Sequence, residues 1–242
     1  MLRAILNTAV SDELIARSPC NLKGAGIEHP NERPILETPT VLRLAEAMGP
    51  RLRALVYLAG FCGLRPGELL GLERRDIDLL HRVVHVRRQA HEITGQGRIL
   101  TVPKTDAGNR TVSLPAVVAE ELDKYLDAHV ASDAESPVFN RPSGLPLRRA
   151  DLSNAWRDAC LEVGLAGVHP HDLRPHAATV IARNPDVTLK ELMATIGHSS
   201  PVAALRYQHA TEERGHAIAR YLDDVIAQAE ASPKAATVRL RP

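Results

Sequence analysis

Near the end of the chain an imidazole and a phenol are set one short helix apart. Thr188 followed by Glu191 is a capping box, Leu189, Leu192, Met193 and Ile196 fall on one face of the helix it opens, and Gly197 ends that helix. Ser200 and Pro201 read as the N-cap and first residue of a second helix, whose buried stripe includes Val202 and Leu205. His198 therefore sits at a polar corner, and Tyr207 near the second helix's end. Two arginines occupy helix mouths. Arg65 stands just ahead of Pro66, and Arg174 lies in the first turn after Asp172, a residue able to N-cap that helix. Outward-pointing N–H groups and a planar fork that stays charged suit a phosphate there. Together these groups suit phosphodiester cleavage, which needs a nucleophile and fixed positive donors for the non-bridging oxygens. A tyrosine, with a pKa of about 10, must be helped to ionise. The plain alternatives are a solvated or capping His198, a Tyr207 that packs its ring, and a surface ion pair between Arg65 and Glu68.

The elements that must position these residues can be read in order. Leu2, Ile5, Leu6, Ala9 and Val10 give residues 1–17 the spacing of an amphipathic helix, ended by Ser18-Pro19. The aperiodic stretch holding Gly24, Gly26, Pro30 and Pro34 is a linker by composition. Thr38-Pro39 opens the next helix, and Leu52, Leu55, Val56 and Ala59 mark a core-facing one that ends at Gly63. From His81 to Pro115 the period changes to strands. The runs are Val84 to Val86, Ile99 to Val102 and Thr111 to Leu114, with Thr105 to Asn109 as the turn between the last two and Lys104 at its base. Helices follow from Pro115, from Ala150 to Val163, after Asp172 and after Thr211, the last with Ile218, Tyr221, Leu222 and Val225 as its stripe. Residues 229–242 have no core to join and are expected to be disordered.

Composition narrows the class. At 242 residues, 44% hydrophobic and 24% charged, the chain can bury a full core. It has no apolar run of membrane-spanning length, and its first residues do not form a signal peptide, so a cytoplasmic location is expected. Cys20, Cys62 and Cys160 are far apart and in no metal-ligand spacing; they read as reduced thiols, with no metal implied. A net charge of +1 does not by itself suggest nucleic acid. Clustering supplies candidate contacts: Arg82, Arg87, Arg88 and Arg98 on one expected sheet, and Arg141, Arg148 and Arg149 around a Pro-Ser-Gly-Leu-Pro loop.

Three stretches together resemble the tyrosine recombinase (phage integrase) family: Gly63-Leu64-Arg65-Pro66-Gly67-Glu68-Leu69-Leu70, His171-Asp172-Leu173-Arg174-Pro175-His176, and the corner from Thr188 to Ala210. The resemblance covers roughly Ile35 to Gln228, and Lys104-Thr105 through Arg110-Thr111-Val112 to Leu114 fits the family's catalytic-lysine pattern. It departs in Pro175 and His176, which replace the customary His and Thr or Ser and bear on hydrogen bonding around Arg174. The resemblance implies an α+β, mostly helical catalytic domain with a small three-stranded antiparallel sheet over residues 36–228. Residues 1–35 would be the last helix of a core-binding domain plus its linker. It implies site-specific recombination of double-stranded DNA attachment sites by a tetramer on DNA, with DNA-bending or directionality proteins as partners, in the cytoplasm or on the nucleoid. No cofactor would be needed. Tyr207 would form a 3′-phosphotyrosyl intermediate, Arg65 and Arg174 would hold phosphate oxygens, and Lys104 would protonate the leaving 5′ oxygen. His171 would be the base, His198 a donor on the phosphate, and Glu68 would orient an arginine. The alternatives are a catalytically silent DNA-binding relative, a type IB topoisomerase-like relaxing enzyme, and a helical scaffold with no DNA role.

Overall fold

A computed structural model describes residues 2–20, 35–93, 95, 97–102, 108–184, 186–197, 200–205, 207, 222–224 and 226–227. The chain divides into two units, residues 1–34 and 35–242. In the first, helix α1 (Leu2–Ser11) stops well before residue 17 and has no buried residue. Glu13 takes a left-handed φ of 58°, and the Glu13 and Leu14 N–H groups donate to the Val10 and Ala9 carbonyls at 3.1 and 2.9 Å. That is a Schellman closure built without glycine. Beyond it, the Arg3 guanidinium donates to the Cys20 carbonyl at 3.2 Å.

The second unit opens with α2 (Thr38–Ala47), α3 (Arg53–Cys62) and the short α4 (Pro66–Gly71). Helix α3 buries Ala54, Leu55, Val56, Leu58, Ala59, Gly60 and Cys62, so it is apolar nearly all round and lies inside. It packs against α2, α5 (Ala116–His129) and α7 (Leu173–Ala182). Helix α6 (Arg149–Glu162) adds Leu152 and Trp156 to the same core, the indole donating to the Val168 carbonyl at 2.9 Å. A second, smaller core lies where α7 meets α8 (Leu189–Ile196) and α9 (Pro201–Leu205), around Ala177, Ala178, Ala182, Leu192, Ile196 and Ala204.

The expected three-stranded sheet is present, with a different membership. Strand β2 (Val83–Val86) lies between β1 (Ile77–Asp78) and β5 (Arg110–Ser113), both antiparallel to it. The run ending near Val102 is β4 (Gly97–Thr101), which pairs with β3 (Gln89–Ile93) as a separate two-stranded ribbon. Among the described residues β4 is therefore not the partner of β5, and Arg82, Arg87, Arg88 and Arg98 do not share one sheet. The hydrophobic pattern decides this. Val84 sits opposite Val112 with both buried, whereas β3 and β4 have no buried residue to offer that face. Strand β3 escapes a pattern search because Gln89, His91 and Glu92 give it no apolar alternation. No described helix is long and apolar enough to cross a membrane.

Candidate active site

The candidate site is assembled around one carboxylate. Helix α3 ends at Gly63 with a left-handed φ of 68°, and a Cβ there would lie 2.5 Å from Ile196 Cδ1, so glycine is needed twice over. Arg65 takes the extended backbone that a following proline favours and stands at the N-cap of α4. One turn on, Glu68, only 2% exposed, turns back toward it. Its carboxylate accepts from the Arg65 backbone N–H at 2.8 Å and from Arg65 Nη1 at 2.7 Å. It also accepts a forked pair of bonds from Arg110 Nη1 and Nη2, each 3.0 Å. The Arg65–Glu68 pair thus exists, but its acidic end is buried and holds two guanidiniums. Burial alone would raise the Glu68 pKa; the bonds and charges of Arg110 and Arg65 outweigh it and hold the carboxyl below its ordinary value.

Both arginines continue to the end of α8. Arg110 Nε donates to the Thr195 carbonyl at 3.0 Å and Arg65 Nη2 to the Gly197 carbonyl at 2.8 Å. Those carbonyls are orphans of a helix terminus, and cations suit that end of the helix dipole. Gly197 supplies the left-handed φ of 73° that closes α8, while Thr188 and Glu191 close its other end as the sequence indicates.

Arg174 enters from α7 and is 3% exposed. Its Nη1 donates to the Gly63 carbonyl at 2.6 Å, and its buried Nη2 has no hydrogen-bond partner among the described residues. Burial, then the neighbouring charges of Arg65 and Arg110, lower its pKa to about 9, against support from Glu68 and Tyr207. Tyr207 is half-buried against the small core of α7 to α9. Its phenol is near enough to Arg174 for its ionised form to favour the guanidinium's charge. Three guanidiniums around one carboxylate leave a mostly buried excess of positive charge, with a phenol at its edge.

His171 is exposed, inside the 3₁₀ turn Pro170–Asp172 that precedes Arg174. Asp172 does not cap α7 with its side chain; it accepts from the His169 N–H at 2.7 Å and closes that turn instead. Lys104 and His198 lie outside the described residues. His176 is buried beneath the site. The Gly60 carbonyl, 2.8 Å from Nδ1, can only accept, so Nδ1 carries the proton and Nε2 accepts from the Thr38 hydroxyl at 3.1 Å. Burial lowers its pKa.

The remaining arginines divide. Arg88, 16% exposed, pairs with Glu73 at 2.7 Å and with Asp76 at 2.8 Å, and Arg87 lies 3.6 Å from Asp76. Arg98, Arg141, Arg148 and Arg149 instead line a common groove of about 800 Å³ between the β3–β4 ribbon and the loop before α6. Arg98 is anchored there on the Leu70 carbonyl at 2.9 Å, and Arg148 pairs with Asp151 at 2.7 Å. Arg110 stands within the lysine pattern, yet sequence reasoning does not mark it as part of the site. A strand-opening arginine gives no outward sign that a buried acid awaits it.

A mostly helical α+β domain with this small sheet is the fold of the tyrosine recombinase catalytic domain. It matches the Tn1549 transposon integrase, solved in complex with transposon right end DNA, with a TM-score of 0.76 at 23% identity, over 91% of this chain and 76% of that one. The sequence matches the phage integrase family over residues 35–214, and the chain belongs to that family. It is 37% identical over 239 residues to a prophage phiRv2 integrase of Mycobacterium tuberculosis, covering 95% of this chain and 62% of that protein. It is 32% identical over 224 residues to the integrase of Mycobacterium phage L5, covering 90% and 59%. The chain thus spans about three fifths of the length of these curated relatives.

Proposed function

We propose that this chain performs the strand cutting and rejoining of site-specific DNA recombination, integration or excision, through a 3′-phosphotyrosyl intermediate on Tyr207. The observation that carries this reading is the buried excess of positive charge beside the Tyr207 phenol, with Arg174 Nη2 unpartnered among the described residues. A phosphodiester between Arg65 and Arg174 supplies the anion that this charge calls for. The phenol oxygen then bonds to phosphorus, the bond to the 5′ oxygen breaks, and that oxygen departs with a proton. The phosphotyrosine keeps the energy of the broken bond, so attack by a 5′-hydroxyl reseals the strand without a nucleotide cofactor. Lys104 is the acid in this scheme, His171 the base and His198 a further phosphate donor. Glu68 orients Arg65. Groove residues Arg98, Arg141, Arg148 and Arg149, with Arg87 and Arg88 alongside, track the DNA backbone. Residues 1–35 are read as the end of a core-binding domain and its linker. The apolar positions Leu222 and Ile226, 52% and 55% exposed, suit a tail that docks on a neighbouring copy in a DNA-bound tetramer.

The test is covalent trapping on nicked duplexes randomised around the nick, in which the short downstream strand diffuses away and trapping itself selects the sequence. The wild-type chain should accumulate a phosphotyrosyl adduct. Tyr207→Phe removes one oxygen and leaves the ring, so folding and DNA affinity should persist while the adduct vanishes. A peptide map with the adduct on any other tyrosine rejects the assignment.

A further inference from the structure

Arg110 has no part in the chemistry described above, and no nucleophile, acid or phosphate donor is needed from it. Its placement is nevertheless costly to arrange. The side chain is 6% exposed, and the forked end is committed to both oxygens of Glu68. Its remaining Nε–H reaches 85 residues along the chain to the Thr195 carbonyl in the last turn of α8. A lysine could neutralise Glu68, but one ammonium cannot bond both carboxylate oxygens and a helix carbonyl in that fixed plane. The arrangement therefore uses geometry that only a guanidinium has.

What that geometry joins is the two halves of the site. Glu68 belongs to α4, which begins at Arg65; Thr195 belongs to α8, which leads through α9 to Tyr207. Apart from the bond between Arg65 and Gly197, the described contacts between the α4 carboxylate and the α8 terminus run through Arg110. Arg65 is also the residue proposed to engage a phosphate, so its fork serves two tasks. Arg110 has no such second task.

We propose that Arg110 is a positioning residue for the tyrosine: by tying the end of α8 to Glu68, it sets where the Tyr207 segment stands relative to the arginines that receive the phosphate. The proposal deepens the cleavage reading and rests on it. A displacement of about 1 Å at a reacting centre costs on the order of a hundredfold in rate. Binding, which depends on charge spread over many phosphates, is insensitive to such a displacement.

The experiment compares wild type with Arg110→Lys on the trapped nicked duplex, reading thermal midpoint, dissociation constant and adduct rate at saturating DNA. Arg110→Lys keeps a cation beside Glu68 and severs the tie to Thr195. The expected result is a folded protein whose dissociation constant stays within about threefold and whose adduct rate falls about a hundredfold. A folded variant that cleaves at the wild-type rate overturns the proposal. Parallel losses in affinity and rate overturn it too, because they make Arg110 a DNA contact. If Arg110→Lys is unfolded at the assay temperature, Arg110→Gln, an amide that still donates to Glu68 but falls short of Thr195, carries the same expectation. Unfolding of both variants reduces Arg110 to a structural residue and also overturns the proposal. An adduct absent from the wild-type chain rejects the cleavage reading itself, an outcome separate from the others.

Discussion

Arg174 donates through Nη1 to the carbonyl of Gly63 at 2.6 Å, two residues before Arg65. One arginine of the site is thus registered on the backbone that carries the other. The bond occupies one terminal nitrogen and leaves Nη2, buried and unpartnered among the described residues, on the same rigid plane.

This arrangement predicts a pH effect for Arg174→Lys. The site already lowers the wild-type guanidinium to about 9. A lysine starts lower, at about 10.4, and the same burial and neighbouring cations must carry it lower still. A cation is lost as pH rises through its pKa, so below about pH 9 the variant's adduct rate should decline with rising pH while wild type, still charged there, holds. A flat profile for the variant would show that the position is less desolvated than its burial indicates.

Glu68→Gln should destabilise the fold. Removing one partner of a buried ion pair costs about 3 kcal/mol or more, which lowers the melting temperature of a domain this size by roughly 10 °C. The Glu68 pKa is lowered by folding, so its stabilisation is present above the unfolded value of about 4.3 and is lost as pH falls through the folded value. Thermal scans of the two proteins should therefore converge in acid.

His176 works in the opposite range. Its folded pKa is lowered by burial, so the unfolded chain takes up the proton first and stability falls as pH drops below about 6.5. Replacement by Gln, which can still donate to Gly60, should flatten that part of the stability profile. An unchanged slope would assign it to other titrating groups; within the fold, Arg183 adds to burial in disfavouring the charged ring.

Much of this site was legible in the sequence because its makers are punctuated locally. Pro66 announces Arg65, Gly63 and Gly197 announce helix ends, and the Thr188–Glu191 box fixes where α8 begins. What could not be read are relationships made by packing. The pairing of β2 with β5 follows from which valines reach the core, and β3 is too polar to betray itself. That Glu68 orients an arginine follows from the resemblance, but its second partner does not, because Arg110 is 42 residues away in the chain. Asp172 had the right type and place for a helix cap, yet its carboxylate is used by the preceding turn.

The proposed acid can be tested without locating it. Lys104→Ala should slow adduct formation about a hundredfold or more with little loss of affinity. A duplex with a 5′-bridging sulfur, whose leaving group needs no proton, should regain most of the rate. If the sulfur substrate is no faster than the oxygen one in the variant, the acid is another residue.

Charge removal in the groove should read differently. Arg141→Gln or Arg149→Gln should weaken DNA binding across sequences and reduce its dependence on log salt by about one unit each. An unchanged slope would place the DNA elsewhere.

The small core beneath Tyr207 has a consequence for how the molecule breathes. Among the described residues, four of its six buried members are alanines and Leu192 and Ile196 supply the large side chains, while α3 is sealed by Leu55, Val56 and Leu58 among many others. At about 0.8 kcal/mol per buried CH₂, separating α8 and α9 from α7 exposes far less apolar surface than opening the centre of the domain. Amide hydrogens of α8 and α9 should exchange with solvent through local openings, and those of α3 only through global unfolding. The phenol therefore rides on the part of the domain that can detach and return, and the bonds from Arg65 and Arg110 to the end of α8 are the ones each opening must break.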